Sequence, residues 1–188
     1  MNRNALATSI FSVAAGLAFA QPATAVTENR LVTQTGANMC TLSVPTTDTK
    51  IRPRSTGFNN EGTTNAFVIC SFNSPPGDAD ASTQATNYLM YMKSMDGLTH
   101  SVDCTGVNSL KDGEAYGVPT PKFVTKTTVV NDSGSFGTFG VPVTFLPADF
   151  GGTTTIPSYG GVFSITCILP PQVSIKVGFS NSAEDVGN

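Results

Sequence analysis

The chain has 188 residues, with 12% charged, 39% hydrophobic, 18 Gly, 12 Pro, 26 Thr and no Trp. Turn formers and β-branched residues in that proportion suit short strands joined by many turns and exclude a helical bundle or coiled coil. A mean hydropathy of +0.03 with so few charges excludes a disordered chain, and a pI near 4.9 removes the basic footprint of most nucleic-acid binders.

Behind Arg3, Ala5 to Ala20 runs without a charge, and small residues stand at Ala18-Phe19-Ala20 and Ala23-Thr24-Ala25. A basic start, an apolar run shorter than the ~20 residues of a membrane span, and small residues at the cut describe a secretory signal peptide over 1–25. Cleavage is expected before Val26, with Gln21 as the alternative new N-terminus. Removing Arg3 leaves nine cations against 13 acids, a mature net charge of −4. No later segment is long and apolar enough to span a bilayer. The expected destination is the periplasm or the cell exterior.

In chain order, residues 26–39 are polar and predict a flexible lead-in. Cys40 to Val44 alternates and predicts a strand stopped by Pro45, and Asn59-Asn60-Glu61-Gly62 predicts a turn. Ala66 to Phe72 is apolar on both faces and predicts a central strand buried on both sides. Asn87 to Met95 and Leu98 to Thr105 flank Asp96-Gly97, which predicts a two-residue hairpin. That register pairs Met95 with Leu98, Lys93 with His100, Tyr91 with Val102 and Leu89 with Cys104 on a core-facing side. Tyr88, Met90 and Met92 then form a stripe on the other face.

Phe123 to Val130 is rich in β-branched residues and predicts a strand. Phe139 to Leu146 predicts an edge or bulged strand through Pro142, and Val162 to Leu169 a strand stopped by Pro170-Pro171. Val173, Ile175, Val177 and Phe179 alternate and are expected to point inward. Residues 181–188 predict a polar tail. About eight strands with no helical period point to a single all-β domain over 40–180, an antiparallel β-sandwich, with a barrel as the alternative.

Cys40, Cys70, Cys104 and Cys167 are separated by 30, 34 and 63 positions. An even count in an exported chain predicts two disulfides, and no Cys-x₂₋₄-Cys pair suggests zinc. Four cysteines allow three connectivities, of which the sequential pairing, Cys40 with Cys70 and Cys104 with Cys167, is preferred.

Catalytic and metal patterns are sparse. His100 is the single histidine, so a site built on several imidazoles is excluded. Ser101 and Asp103 are near it, but Ser101 falls on the opposite strand face. Asp132-Ser133-Gly134 has the letters of an aspartic-protease triplet, yet that chemistry needs two carboxylates and the motif occurs once. Asp78, Asp80 and Ser82 have the spacing that opens calcium loops, but Leu89 stands where the twelfth-position acid belongs. Asp149-Phe150-Gly151 matches a kinase triplet without its companions. No cofactor-binding pattern is present. Tyr88, Met90 and Met92 combine adaptable and amphipathic side chains and offer a possible binding surface, with burial as the competing expectation.

Met39-Cys40-Thr41-Leu42, Val68-Ile69-Cys70 and Phe163-Ser164-Ile165-Thr166-Cys167-Ile168-Leu169-Pro170, with Ser174-Ile175 behind them, resemble segments of small secreted bacterial proteins of unassigned function. The shared pattern covers about a third of the chain, and it implies an exported β fold and no particular chemistry. The chain is also similar to chaperone–usher pilins in being exported, β-rich and cysteine-bearing. It departs from them where Ser180 to Asn188 replaces a terminal aromatic strand. The function expected is an exported, non-enzymatic β-sandwich that binds a protein or a cell-surface ligand. A structural surface subunit and a secreted hydrolase are the alternatives.

Overall fold

A computed structural model describes residues 26–44, 50–73, 83–108, 121–131, 139–157 and 162–185. Eleven strands occur among them: β1 (Thr27–Thr35), β2 (Cys40–Leu42), β3 (Ile51–Arg54), β4 (Gly57–Asn60), β5 (Ala66–Asn73), β6 (Thr83–Ser94), β7 (His100–Asn108), β8 (Lys122–Val130), β9 (Val141–Phe145), β10 (Val162–Leu169) and β11 (Val173–Asp185). One helical turn, α1 (Gly36–Met39), joins β1 to β2, and a 3-10 turn covers Pro147–Phe150. The strands form two antiparallel sheets, as the sandwich expectation required, and no barrel closes. The six-stranded sheet runs β3-β4-β11-β6-β9, with β1 also paired to β11; the five-stranded sheet runs β2-β5-β10-β7-β8.

Among the described strands, only β3–β4 and β7–β8 are consecutive neighbours in one sheet. The other steps cross from one layer to the other. Asp96-Gly97 is one of those crossings, which corrects the hairpin expectation. β6 spends both edges on β11 and β9, while β7 spends its edges on β10 and β8. A turn dipeptide sets only local geometry. Here the apolar faces of β6 and β7 are opposed across the core, with Tyr88, Met90 and Met92 on one side and Val102 and Cys104 on the other.

Tyr88, Met90 and Met92 therefore point inward and are fully buried. They are core and not the binding surface offered from sequence. Val141, Val143 and Phe145 of β9 lie beside them in register and share the same inner face. From the opposing sheet come Val68, Cys70 and Phe72 of β5, Val102 and Cys104 of β7, and Phe163, Ile165, Cys167 and Leu169 of β10. Each large apolar side chain buried in this way contributes roughly 1.5–3 kcal/mol.

Three further expectations change. β5 is buried on one face only, and Phe67 is 52% exposed. A two-layer protein has no third layer to cover the other side. Residues 27–35 are not a loose lead-in, since β1 pairs with β11 from Thr27↔Asp185 to Thr35↔Val177. Its side chains are mostly exposed, so the backbone ladder holds it and hydrophobic periodicity cannot reveal it. The same ladder makes residues 181–185 strand and not tail.

β3 and β4 were also missed. Pro53 and two arginines disguise the first as loop, although Pro is tolerated on a sheet edge. The second contains Asn59 and Asn60, which read as turn and are buried. Asn60 Nδ2 donates to Thr64 O and Leu169 O, both at 2.9 Å, and its Oδ1 accepts from Gly62 N at 3.0 Å. Ser174 Oγ donates to Asn59 at 2.6 Å. With those partners, the amides are buried without the cost of an unmade hydrogen bond.

Candidate functional site

The disulfides join Cys40 to Cys70 and Cys104 to Cys167, the sequential pairing. Each links residues directly opposite one another on neighbouring strands of the five-stranded sheet, β2 to β5 and β7 to β10. All four sulfur-bearing residues are buried on its inner face. Two disulfides are the mark of an oxidising environment. No described helix is long and apolar enough to cross a membrane.

Among the sequence candidates, Asp78, Asp80, Ser82 and the Asp132-Ser133-Gly134 triplet lie outside the described residues. No group of three or more His, Cys, Asp or Glu is placed to hold a metal ion among the described residues. His100 faces Val130 of β8 in register, not Lys93. Its Nε2 lies 2.9 Å from Asp96 Oδ1, which also accepts from Leu98 N at 2.9 Å and Ser94 Oγ at 2.8 Å. The His100 hydrogen bond, with those from Leu98 and Ser94, lowers the Asp96 carboxyl to about 2. Ser94 and His100 thus converge on one carboxylate oxygen. A nucleophilic relay would instead need the hydroxyl on the imidazole, so this arrangement fixes a turn.

Asp149-Phe150-Gly151 has a structural use. Phe150 is fully buried, and Gly151 ends the 3-10 turn at φ 83°. Lys126 Nζ on β8 donates to Asp149 Oδ2 at 2.5 Å and to Thr144 O at 2.8 Å, while lying 5.3 Å from the Phe145 ring centroid. These contacts latch the β8 edge of one sheet to the β9 edge of the other.

The surface that sequence reasoning missed lies on the outside of the six-stranded sheet. Because Tyr88, Met90 and Met92 turn inward, Leu89, Tyr91 and Lys93 turn outward. On β11 a bulge between Ile175 and Val177 reverses the alternation, so Val177 and Phe179 also turn outward, opposite Tyr91 and Leu89. The expected inward run of four apolar residues therefore holds only for Val173 and Ile175. β1 adds Leu31, opposite Asn181.

Phe139, just before β9, folds over this face. Its ring centroid is 6.1 Å from that of Tyr91 and 6.2 Å from that of Phe179, and Tyr91 and Phe179 meet edge to face at 5.6 Å. A hollow of about 270 Å³ opens among Leu31, Leu89, Tyr91, Phe139, Phe179 and Asn181. Leu31 is 59% exposed and Phe139 43%, so the hollow is open to solvent. At one end Asn181 Nδ2 donates to Asn87 Oδ1 at 2.6 Å, which places amide groups beside the apolar wall.

No family model matches the chain, and no curated protein does. A solved structure described as infectious bursal virus derived T=1 particles is 12% identical, over 85% of this chain and 40% of that one, with a TM-score of 0.12. The chain thus spans less than half of that viral chain, and so low a structural score carries no argument about fold or function.

Proposed function

We propose that this chain is an exported binding module that takes a small apolar ligand on the outer face of its six-stranded sheet, and that it works outside the cytoplasmic membrane. The observation that carries the reading is the aromatic hollow between Leu31 and Phe139. Soluble proteins rarely leave clustered apolar side chains open to water without a partner for them. Leu89, Tyr91, Phe139 and Phe179 wall a concave site flanked by polar amides, which is the usual make-up of a small-molecule pocket. Export rests on the charge-free run behind Arg3, the small residues before Val26 and the two disulfides. Binding is favoured over catalysis because the single histidine is engaged with Asp96 at a turn.

The test uses N-phenyl-1-naphthylamine, an uncharged probe that fluoresces in apolar surroundings. The oxidised protein should enhance its emission saturably. Leu31→Ser with Phe139→Ser should abolish that enhancement while leaving the unfolding midpoint close to wild type, since both side chains are exposed. Equal enhancement by the double variant would place the apolar site elsewhere and defeat the proposal.

A further inference from the structure

Past Tyr91, which walls the hollow, β6 and β11 each carry a lysine. Lys93 lies two residues beyond Tyr91 on the same outer face of β6, a step of about 7 Å along a strand. Lys176 is the extra residue of the β11 bulge, beside Val177, which pairs with Tyr91. Both side chains are half-buried. Among the described residues neither ammonium makes a hydrogen bond or an ion pair. Burial, with the neighbouring charge of Lys93, holds Lys176 below the usual lysine range. Gly140 packs against β6, where a Cβ would clash with the Met92 carbonyl oxygen and meet Lys93 Cβ at 3.0 Å.

Two cations side by side, with no acid paired to either among the described residues, repel each other, and partial burial aggravates the repulsion. An anion arriving between them relieves both costs. At about 270 Å³ the hollow sits just below the roughly 300–1,000 Å³ of drug-sized pockets, so its apolar occupant is small.

We infer that the ligand is a small amphiphilic acid, a short acyl or aryl chain bearing one anionic head, with its apolar body between Leu31, Phe139 and Phe179 and its head on Lys93 and Lys176. This rests on the hollow being the binding site. It adds the sign of the ligand's charge and the direction in which the ligand lies.

Titration calorimetry of the oxidised protein with octanoate, octanol and octyltrimethylammonium tests it. Octanoate is expected to bind roughly tenfold tighter than octanol, the worth of one hydrogen bond to a charged group, with octyltrimethylammonium the weakest. The octanoate advantage should shrink as salt is raised, a readout that needs no substitution. Lys93→Gln combined with Lys176→Gln should remove the difference between octanoate and octanol. Equal affinities for octanoate and octanol in the wild type, or a preference for the cation, would overturn the acid-head inference and leave the apolar site standing. Binding of none of the three would overturn both.

Discussion

Tyr88 of β6 lies face to face with Phe163 of β10, with ring centroids 3.8 Å apart and planes 3° from parallel. The stack joins the two sheets at their centre. Phe72 and Phe145 meet Phe163 from the sides at 5.9 and 5.8 Å, so the ring is surrounded by aromatic edges. Such pairs add about 0.5–1.5 kcal/mol each beyond the burial of their area. The geometry decides which face of β6 is inside: with Tyr88 in this stack, Met90 and Met92 follow it inward and Tyr91 must turn out.

That assignment makes Met90→Ser and Met92→Ser core lesions. Each leaves a cavity and a hydroxyl without a place in the apolar interior, with an expected loss of at least about 2–5 kcal/mol. Urea unfolding measures it. Midpoints unchanged from wild type would show that the stripe is not packed in the core.

The two disulfides should differ in weight. In the chain-entropy account, the bridges of separation 30 and 63 contribute about 4 kcal/mol each, with the longer ahead by roughly 0.6 kcal/mol. Cys104→Ala with Cys167→Ala should therefore destabilise more than Cys40→Ala with Cys70→Ala. Denaturant unfolding of the two double variants gives the comparison. The reverse order would mean that native packing, not loop closure, sets their contributions.

Gly106 and Gly178 mark two places where the layers approach too closely for a side chain. A Cβ at Gly106 would stand 2.7 Å from the Phe145 ring, and one at Gly178 would stand 2.6 Å from Met39 Sδ and 2.9 Å from Phe72. Gly106→Ala and Gly178→Ala are each expected to cost about 1–3 kcal/mol by overpacking. An unchanged unfolding midpoint in both would contradict the close approach.

Eight of the eleven strands were legible, because each carries period-two alternation or a dense β-branched run. The rest failed for identifiable reasons. β1, with the sequence TENRLVTQT, is held by its ladder to β11 and shows no buried face. β4 buries two asparagines through specific hydrogen bonds that composition cannot announce. The hollow was lost through compounded local errors. Leu31 sits on the unrecognised strand, Phe179 is turned outward by the bulge at Lys176, and the hairpin expectation put Leu89 and Tyr91 inside. One signal was present: β6 is apolar on both faces, and a strand of a two-layer fold has only one face to bury.

Asp96 sets a pH signature. Its hydrogen bond to His100, with those from Leu98 and Ser94, brings its carboxyl from an ordinary 3.8 down to about 2. A group whose folded value is lowered contributes stability that is complete above the unfolded value and is lost as pH falls through the folded one. The thermal midpoint should thus fall between about pH 4 and pH 2 in part through Asp96. Asp96→Asn should lower the midpoint at neutral pH and flatten that part of the profile. Parallel profiles for the two proteins would remove Asp96 from the account.

The most direct measurement is the map of backbone amide shifts as octanol is titrated into the isotopically labelled, oxidised protein. Shifts should concentrate at Leu31, Leu89, Tyr91, Phe179 and Asn181, with little movement on the opposite sheet. Shifts centred instead on the exposed Phe67, Phe123 and Val129 of the five-stranded sheet, or spread without a centre, would contradict the assignment of the outer face of the six-stranded sheet as the binding surface.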